Sequence, residues 1–149
     1  MLGEARQGMD NKGQIRELIE SWISSVRAKD VEGSLAPYAA DVVAYDLVNP
    51  LQYTGTEMIR RRLVEWFSWF EGPIGIELRD LEITASDDVA FCHGLHRVSG
   101  TKTDGGRLEM WWRTTLCLSR IGEKWTITHS HDSVPFNMEN GQASLDLQP

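Results

Sequence analysis

Twelve residues near the C-terminus decide the fold: Trp125-Thr126-Ile127-Thr128-His129-Ser130-His131-Asp132-Ser133-Val134-Pro135-Phe136. Large and small side chains alternate along this stretch, which predicts a β-strand, because successive side chains of a strand point to opposite faces. Strict alternation places five of them on one face: Trp125, Ile127, His129, His131 and Ser133. That face begins apolar and ends polar, so we expect it to line a pocket with an apolar floor and reactive groups above it.

The first half of the chain predicts helices. An apolar stripe at helical spacing indicates one long amphipathic helix, and its members are Ile15, Leu18, Ile19, Trp22 and Val26. A second long helix is expected to open at Thr54-Gly55-Thr56-Glu57, which has the pattern of a capping box. Within it, the run Arg60 to Arg62 is expected to form a solvated helix face.

The second half predicts antiparallel strands, and the whole chain is therefore expected to be α+β. The apolar alternation changes phase near Arg79-Asp80, which indicates a bulge or bend. A bulged, curved sheet around the first helix would make a cone with an open end. We expect one domain over residues 1–149, with residues 1–10 and 137–149 as peripheral tails.

Composition excludes several classes of partner. The chain has 149 residues and a net charge of −7, with 22 acidic and 15 basic residues. This balance argues against nucleic acid and against anionic membrane surfaces, and we see neither a signal peptide nor a membrane span in the sequence. Cys92 and Cys117 lie in apolar runs and are expected to be free thiols of a reducing compartment, the cytoplasm.

These patterns resemble those of SnoaL-like proteins, members of the ketosteroid-isomerase-like, NTF2-like superfamily. The resemblance runs from about Ile15 to the C-terminus and rests on Tyr38-Ala39-Ala40-Asp41, Tyr45-Asp46-Leu47, Trp112-Arg113-Thr114-Thr115 and Trp125 to Pro135. It implies an NTF2-like cone, in which a curved antiparallel sheet wraps around helices and leaves an open pocket, and usually a homodimer packed through the sheets. It does not imply one activity, because the fold hosts isomerases, cyclases, dehydratases, hydrolases and binding modules.

True ketosteroid isomerases differ from this chain in their electrophilic groups. The resemblance puts Asp46 in the place of their general base, and Trp22 where they have a tyrosine donor. Their second donor, a protonated acid, would fall near Trp111 or Trp112, where this sequence has no acid. Steroid isomerisation is therefore expected to be very slow.

We predict four catalytic residues that converge in one cavity: Asp46, Arg113, His129 and His131. An Asp in an apolar cone is a usable base, and an imidazole beside it completes an acid–base unit near neutral pH. A buried Arg113 needs an anion, and Asp46 is the candidate. The predicted ligand-binding residues are mostly aromatic and comprise Trp22, Tyr45, Trp66, Trp111, Trp112, Ser133 and His93.

Three function classes fit these residues. The leading one is a cofactor-free acid–base enzyme, of isomerase, lyase or hydrolase type, that acts on a small apolar carbonyl compound. The second is a ligand-binding or dimerisation module without chemistry. The third is a metal-dependent enzyme on His129 and His131, with His93 or Asp46 as a third ligand, although we expect no metal. A homodimer is expected through the outer sheet face, which would carry Leu116, Leu118 and tryptophan.

Overall fold

The computed structural model describes the backbone of residues 2–149 and the side chains of residues 11–149. Three helices are present in this part: α1 (Leu2–Arg27), α2 (Val31–Leu35) and α3 (Thr56–Ser68). The strands are β1 (Tyr38–Tyr45), β2 (Tyr53–Thr54), β3 (Phe70–Ala85), β4 (Val89–Lys102), β5 (Arg107–Ile121) and β6 (Lys124–Ser133). None of the described helices has the length and apolar character needed to cross a bilayer.

The strands form one curved, open sheet in the order β2-β1-β6-β5-β4-β3. Neighbouring strands are antiparallel except β1 and β6, which are parallel because the long excursion through β2 to β5 separates them. The predicted α+β class is confirmed. Helix α1 begins at Leu2, well before Ile15, the first member of the apolar stripe that predicted it. The side chains of residues 1–10, predicted as a peripheral tail, lie outside the described residues.

Helix α1 packs its apolar stripe against the inner, concave face of the sheet. Ile15, Ile19 and Val26 are almost fully buried, as the helical spacing predicted. Strand β3 is bulged between Arg79 and Glu82, where Asp80 takes a left-handed conformation with φ of 57°. This confirms the bend predicted at Arg79-Asp80 and lets the long strands curve around the helix.

A second bulge, in β6, was not predicted and determines which side chains face inward. Leu118 of β5 pairs with Ile127, but the preceding residue, Cys117, pairs with His129, so Thr128 is an extra residue in β6. The Thr128 hydroxyl donates to the main-chain carbonyl of Cys117 over 3.2 Å, which holds the bulge. One extra residue reverses the alternation of every side chain that follows.

The predicted inner face of β6 is therefore correct only up to Ile127. Trp125 and Ile127 are buried in the core, at 4% and 2% exposure. Beyond the bulge, Ser130 and Asp132 face inward, and the outer, convex face carries His129, His131 and Ser133. The prediction that both histidines line the pocket above an apolar floor is wrong because of this single inserted residue.

Candidate active site

An ion pair joins the residue that follows β1 to helix α3. Asp46 directly follows β1, and its Oδ2 accepts a hydrogen bond from Arg62 Nε over 3.2 Å. Its Oδ1 accepts from the Leu47 main-chain N–H over 2.5 Å. The Arg62 side chain is only 13% exposed and its guanidinium lies 5.5 Å from the Trp69 ring centre. The expectation of a solvated face is therefore wrong for Arg62.

Asp132 is the second acid of the site, and the sequence analysis missed it. The bulge in β6 turns its carboxyl into the interior, where burial raises the pKa of Asp132 to about 7. The nearby charge of Asp46 acts in the same direction, whereas the polar side-chain groups of Thr114 and Trp112 and the charge of Arg62 oppose it. Burial dominates because the charged carboxylate loses more solvation than these neighbours restore.

A cavity of about 400 Å³ joins these groups. Four indoles line it together with aliphatic side chains: Trp22, Trp66, Trp69 and Trp112. Its polar groups are Tyr38, Asp46, Arg62 and Asp132, and near the C-terminus Ala143 and Leu145 complete its wall. A small number of polar groups on an apolar wall is the usual composition of a small-molecule site.

Two narrow chambers extend from the same polar groups. One, of about 50 Å³, lies beside Asp46, Arg62 and Tyr53. The other, of about 40 Å³, lies deeper, beside Trp22, His96 and Trp112. Tyr38 and Asp132 line both chambers and the main cavity. Burial, with the charges of Asp132 and Asp46, raises the pKa of Tyr38 far above its usual value, so its hydroxyl keeps its proton as a donor.

Several polar atoms around this cavity have no hydrogen-bond partner among the described side chains and backbone. They are Trp22 Nε1, Arg62 Nη1, His96 Nδ1 and Trp112 Nε1. The Trp112 indole still stabilises the Asp132 carboxylate, although it does not reach a hydrogen bond of standard geometry. Indole and guanidinium nitrogens can only donate, so the cavity suits a ligand that presents acceptor atoms.

The predicted convergence of Asp46, Arg113, His129 and His131 in one cavity is wrong. Arg113 is exposed on the outer sheet face, where its Nε donates to Ser133 Oγ over 3.1 Å. His129 Nδ1 lies 2.6 Å from the main-chain oxygen of Val43. The Tyr45 ring packs edge-on against both imidazoles, with ring centres 4.7 and 5.2 Å apart. The sheet itself separates these groups from Asp46, whose cationic partner is Arg62.

The predicted ligand-binding residues divide in the same way. Trp22, Trp66 and Trp112 line the cavity, as expected. Tyr45 borders only the small chamber beside Asp46. The outer face carries the remaining three, Trp111, Ser133 and His93, because they share the phase of Arg113 along the paired strands. In the chain from Asn11 onward, no three His, Cys, Asp or Glu side chains lie close enough together to hold a metal.

Arg62 could have been found in the sequence, but Asp132 could not. Arg62 lies three residues after Ile59 and one before Leu63, both buried, so a helical projection places it at the edge of the inward stripe. Asp132 lies on the same face of β6 as Ser130, but the residue types in this stretch do not show that the alternation changes phase at Thr128. Only the pairing with β5 reveals it.

The family model of the SnoaL-like domain matches residues 15–137 of this sequence. The chain belongs to this family. A crystal structure of an NTF2-like protein of unknown function from Pseudomonas putida KT2440 has 35% sequence identity and a TM-score of 0.83, covering 92% of this chain and 95% of that chain. A comparison with curated proteins found no match.

More distant structures share the fold. A dehydratase, so named provisionally, of the NTF2-like family from Streptomyces avermitilis has 14% identity and a TM-score of 0.73, covering 85% of this chain and 97% of that chain. A protein from Novosphingobium aromaticivorans DSM 12444, provisionally named scytalone dehydratase, has 12% identity and a TM-score of 0.76, with 86% coverage of both chains. Such low identity demonstrates the common fold alone.

Proposed function

We propose that this protein is a cofactor-free acid–base enzyme, of isomerase or lyase type, that acts on a small and mostly apolar carbonyl compound. One observation carries the proposal: Asp132, with a pKa of about 7, stands in a tryptophan-lined cavity beside the Asp46–Arg62 ion pair. A carboxyl that titrates near neutral pH can both take and return a proton under working conditions. The SnoaL-like family and its relatives named as dehydratases are compatible with this chemistry.

Asp132 is the proton-transferring residue in this proposal. Its carboxylate takes a proton from the carbon next to the substrate carbonyl, and the electron pair of that C–H bond moves onto the carbonyl oxygen as an enolate. The protonated Asp132 then returns its proton to another carbon, which gives an isomer, or to a leaving hydroxyl, which departs as water. No step needs an oxidant or a reductant.

Arg62 and Tyr38 are the electrophilic residues. Arg62 Nη1 is buried and lacks a partner in the described chain, and the Tyr38 hydroxyl keeps its proton. Both can donate to the negative oxygen that forms in the transition state, where fixed donors lower the barrier most.

Asp46 is a positioning residue in this proposal, in place of the general base that the resemblance implied. Both of its oxygens already accept hydrogen bonds, from Leu47 and from Arg62. A carboxylate occupied in this way holds the guanidinium in one orientation. It is therefore a poorer proton acceptor than Asp132, whose pKa lies near working pH.

Proton exchange tests this function without knowledge of the natural substrate. In D₂O, the enzyme should replace the protons next to the carbonyl of 2-tetralone, phenylacetone or phenylacetaldehyde with deuterium, measured by proton NMR. Asp132→Asn should slow this exchange at least about 100-fold, the usual contribution of a general base. Asp41→Asn is the matched control, because Asp41 is exposed on β1 and should leave the rate unchanged.

Two results would contradict the proposal. Exchange no faster than in buffer for all three compounds would exclude enolisation of this substrate class. Undiminished exchange in Asp132→Asn would exclude the assigned residue. Tight binding of a carbonyl compound without any exchange would instead favour the alternative function, a ligand-binding module that uses the same cavity without chemistry.

We also propose that two copies pair through the outer sheet face in the cytoplasm. Leu116 and Leu118, expected on this face, point inward, but Val89 and Phe91 of β4 are exposed there at 58% and 50%. Exposed apolar side chains on a sheet commonly mark an interface. Sedimentation should give a dimer at micromolar concentration and a monomer for Phe91→Ser, whereas a monomeric parent protein would refute the pairing.

Both cysteines are free thiols, which suits a reducing compartment.

A further inference from the structure

The deep chamber shares Tyr38 and Asp132 with the proposed reaction, but its other lining residues have no role in that reaction. Its volume is about 40 Å³, and Leu18, Ile19 and Ile127 are among its apolar residues. A ring cluster of Trp22, His96 and Trp112 also lines it. The imidazole stacks on Trp112 with ring centres 5.1 Å apart, and the edge of Trp22 packs against it at 5.5 Å.

Each ring of this cluster has one nitrogen without a hydrogen-bond partner in the described part of the chain: Nε1 of both indoles and Nδ1 of the imidazole. His96 and Trp112 are 4% and 7% exposed, so bulk water does not satisfy these atoms. Leaving buried polar atoms unpaired is unfavourable. Because all three residues line this chamber, we expect its occupant to be polar.

The charge of the chamber restricts what the occupant can be. Burial lowers the pKa of His96 to about 4, although a hydrogen bond with the Glu77 main chain opposes this, so the ring is neutral at pH 7. The lining therefore contains no cation, and it includes the carboxyl group of Asp132. A carboxylate or phosphate would be buried here without a counter-charge, which is strongly unfavourable.

The geometry points to a neutral oxygen as the occupant. An oxygen with lone pairs accepts from both indole N–H groups, and a hydroxyl can in addition donate to an unprotonated imidazole nitrogen. A space of about 40 Å³ holds roughly three water-sized groups. It therefore fits the end of a ligand whose apolar body occupies the tryptophan-walled cavity of about 400 Å³.

We propose that the chamber beside Trp22, His96 and Trp112 binds a hydroxyl or a second carbonyl of the substrate, at the end remote from the reacting carbonyl. This inference rests on the proposed function and narrows it. The substrate is then a compact, largely apolar molecule with two neutral oxygen functions. One lies at Arg62, Tyr38 and Asp132, where proton transfer takes place, and the other lies in the deep chamber.

A matched pair of probes tests this assignment. 6-Hydroxy-2-tetralone differs from 2-tetralone only by a hydroxyl on the ring remote from the carbonyl. By calorimetry, the hydroxyl should tighten binding to the parent protein about fivefold to tenfold, the effect of one satisfied buried hydrogen bond. Trp22→Phe and Trp112→Phe remove an indole N–H and keep an aromatic ring, so each should reduce this advantage to less than about twofold.

Trp69→Phe is the control variant. Trp69 lines the main cavity and not the deep chamber, so it should weaken both probes alike and preserve the ratio between them. A second measurement is independent of affinity. The six tryptophans give six indole cross-peaks in a ¹⁵N–¹H spectrum, and those of Trp22 and Trp112, assigned from the two variants, should move more with 6-hydroxy-2-tetralone than with 2-tetralone.

The outcomes separate this inference from the proposed function. If 2-tetralone undergoes enzyme-dependent exchange but the two probes bind equally, the deep-chamber assignment is wrong and the function stands. If neither probe binds and no exchange occurs, the carbonyl class is wrong and the inference falls with it. If Trp112→Phe does not fold, Trp22→Phe and the indole spectra decide the question.

Discussion

Beyond Thr128, the two faces of β6 differ in their residue types and in their contacts. The outer face carries His129 and His131, which pack against Tyr45 and the Val43 carbonyl. The inner face carries Ser130 and Asp132, and only Asp132 brings an ionisable group into the cavity. Reactive residue types, such as histidine, therefore do not locate a site by themselves, because a single bulge exchanged the inner and outer faces of β6.

Replacing the arginine on each side of the sheet should give the largest contrast. Arg62→Ala removes the donor Nη1 and leaves Asp46 without its cation, whereas Arg113→Ala removes only a contact with the Ser133 hydroxyl. We expect proton exchange on 2-tetralone to fall about 100-fold to 1,000-fold for Arg62→Ala, the usual loss for an oxyanion donor. Arg113→Ala should stay within about twofold in rate and about 0.5 kcal/mol in the free energy of unfolding.

Equal losses of exchange rate in Arg62→Ala and Arg113→Ala would contradict the distinction between the two faces of the sheet. They would mean that the outer face takes part in the reaction. Arg62→Lys refines the result, because it keeps the positive charge but loses the fork of donors, and should recover only part of the rate.

The pH dependence of stability should distinguish Asp132 from ordinary carboxyl groups. Its pKa in the folded protein is about 7, above the value of about 4 that is usual for an aspartate, so the folded state binds more protons than the unfolded state between these values. The contribution of Asp132 to the free energy of unfolding should therefore fall as the pH rises from about 4 to about 7. Asp132→Asn should remove this contribution and be more stable than the parent at pH 8, by on the order of 4 kcal/mol for a difference of about three pKa units.

Urea unfolding of the parent and of Asp132→Asn at pH 4, 5.5, 7 and 8 measures this difference. The two proteins should be nearly equally stable at pH 4 and diverge towards pH 8. Curves that stay parallel over this range would show that Asp132 titrates alike in the folded and unfolded chains. Asp41→Asn is again the exposed control.

A smaller effect is expected at the cavity wall near the C-terminus. Residues 137–149 were predicted to be a peripheral tail, yet Ala143 and Leu145 line the cavity, and Ser144 N–H donates to the Pro135 carbonyl over 2.8 Å. Leu145→Ser should weaken the binding of 2-tetralone about threefold to tenfold by exposing this wall to water. Leu147→Ser is the control, since Leu147 is similarly exposed but does not line the cavity. Equal affinities for the two variants would remove this segment from the site.

The smallest effect is expected for the histidines themselves. His131→Asn and His129→Asn should each leave proton exchange within about twofold of the parent rate, because the sheet separates both rings from Asp132. Loss of exchange with an intact dimer and an intact fold would restore the original histidine hypothesis. Loss of both dimer and exchange would link the outer face to the cavity through assembly.

The features that the sequence did predict depend on local periodicity. The stripe of α1 and the bend at Arg79-Asp80 follow from spacing along one element. Trp111 and Trp112 were both predicted as ligand-binding residues, and the structure shows that Trp112 lines the cavity. Asp46 follows from the resemblance to the SnoaL-like family, which also gave the cone. In each case the information lies within a few residues of the feature.

The features that the sequence did not predict depend on contacts between elements. The bulge at Thr128 is held by the carbonyl of Cys117 on the neighbouring strand, a contact between residues 11 positions apart. The partner of Asp46 is Arg62, on a helix 16 positions away, and not the more prominent Arg113. The raised pKa of Asp132 arises from burial, which no alternation rule could assign while the bulge was unknown.

The central claim is that Asp132 titrates near neutral pH inside the cavity, and ¹³C NMR of side-chain carboxyl groups measures this directly. The Asp132 resonance is identified as the signal absent from the Asp132→Asn spectrum. We expect its midpoint at about pH 7. A midpoint near pH 4 would show that Asp132 is solvated, and would contradict both its inward orientation and its assigned role in proton transfer.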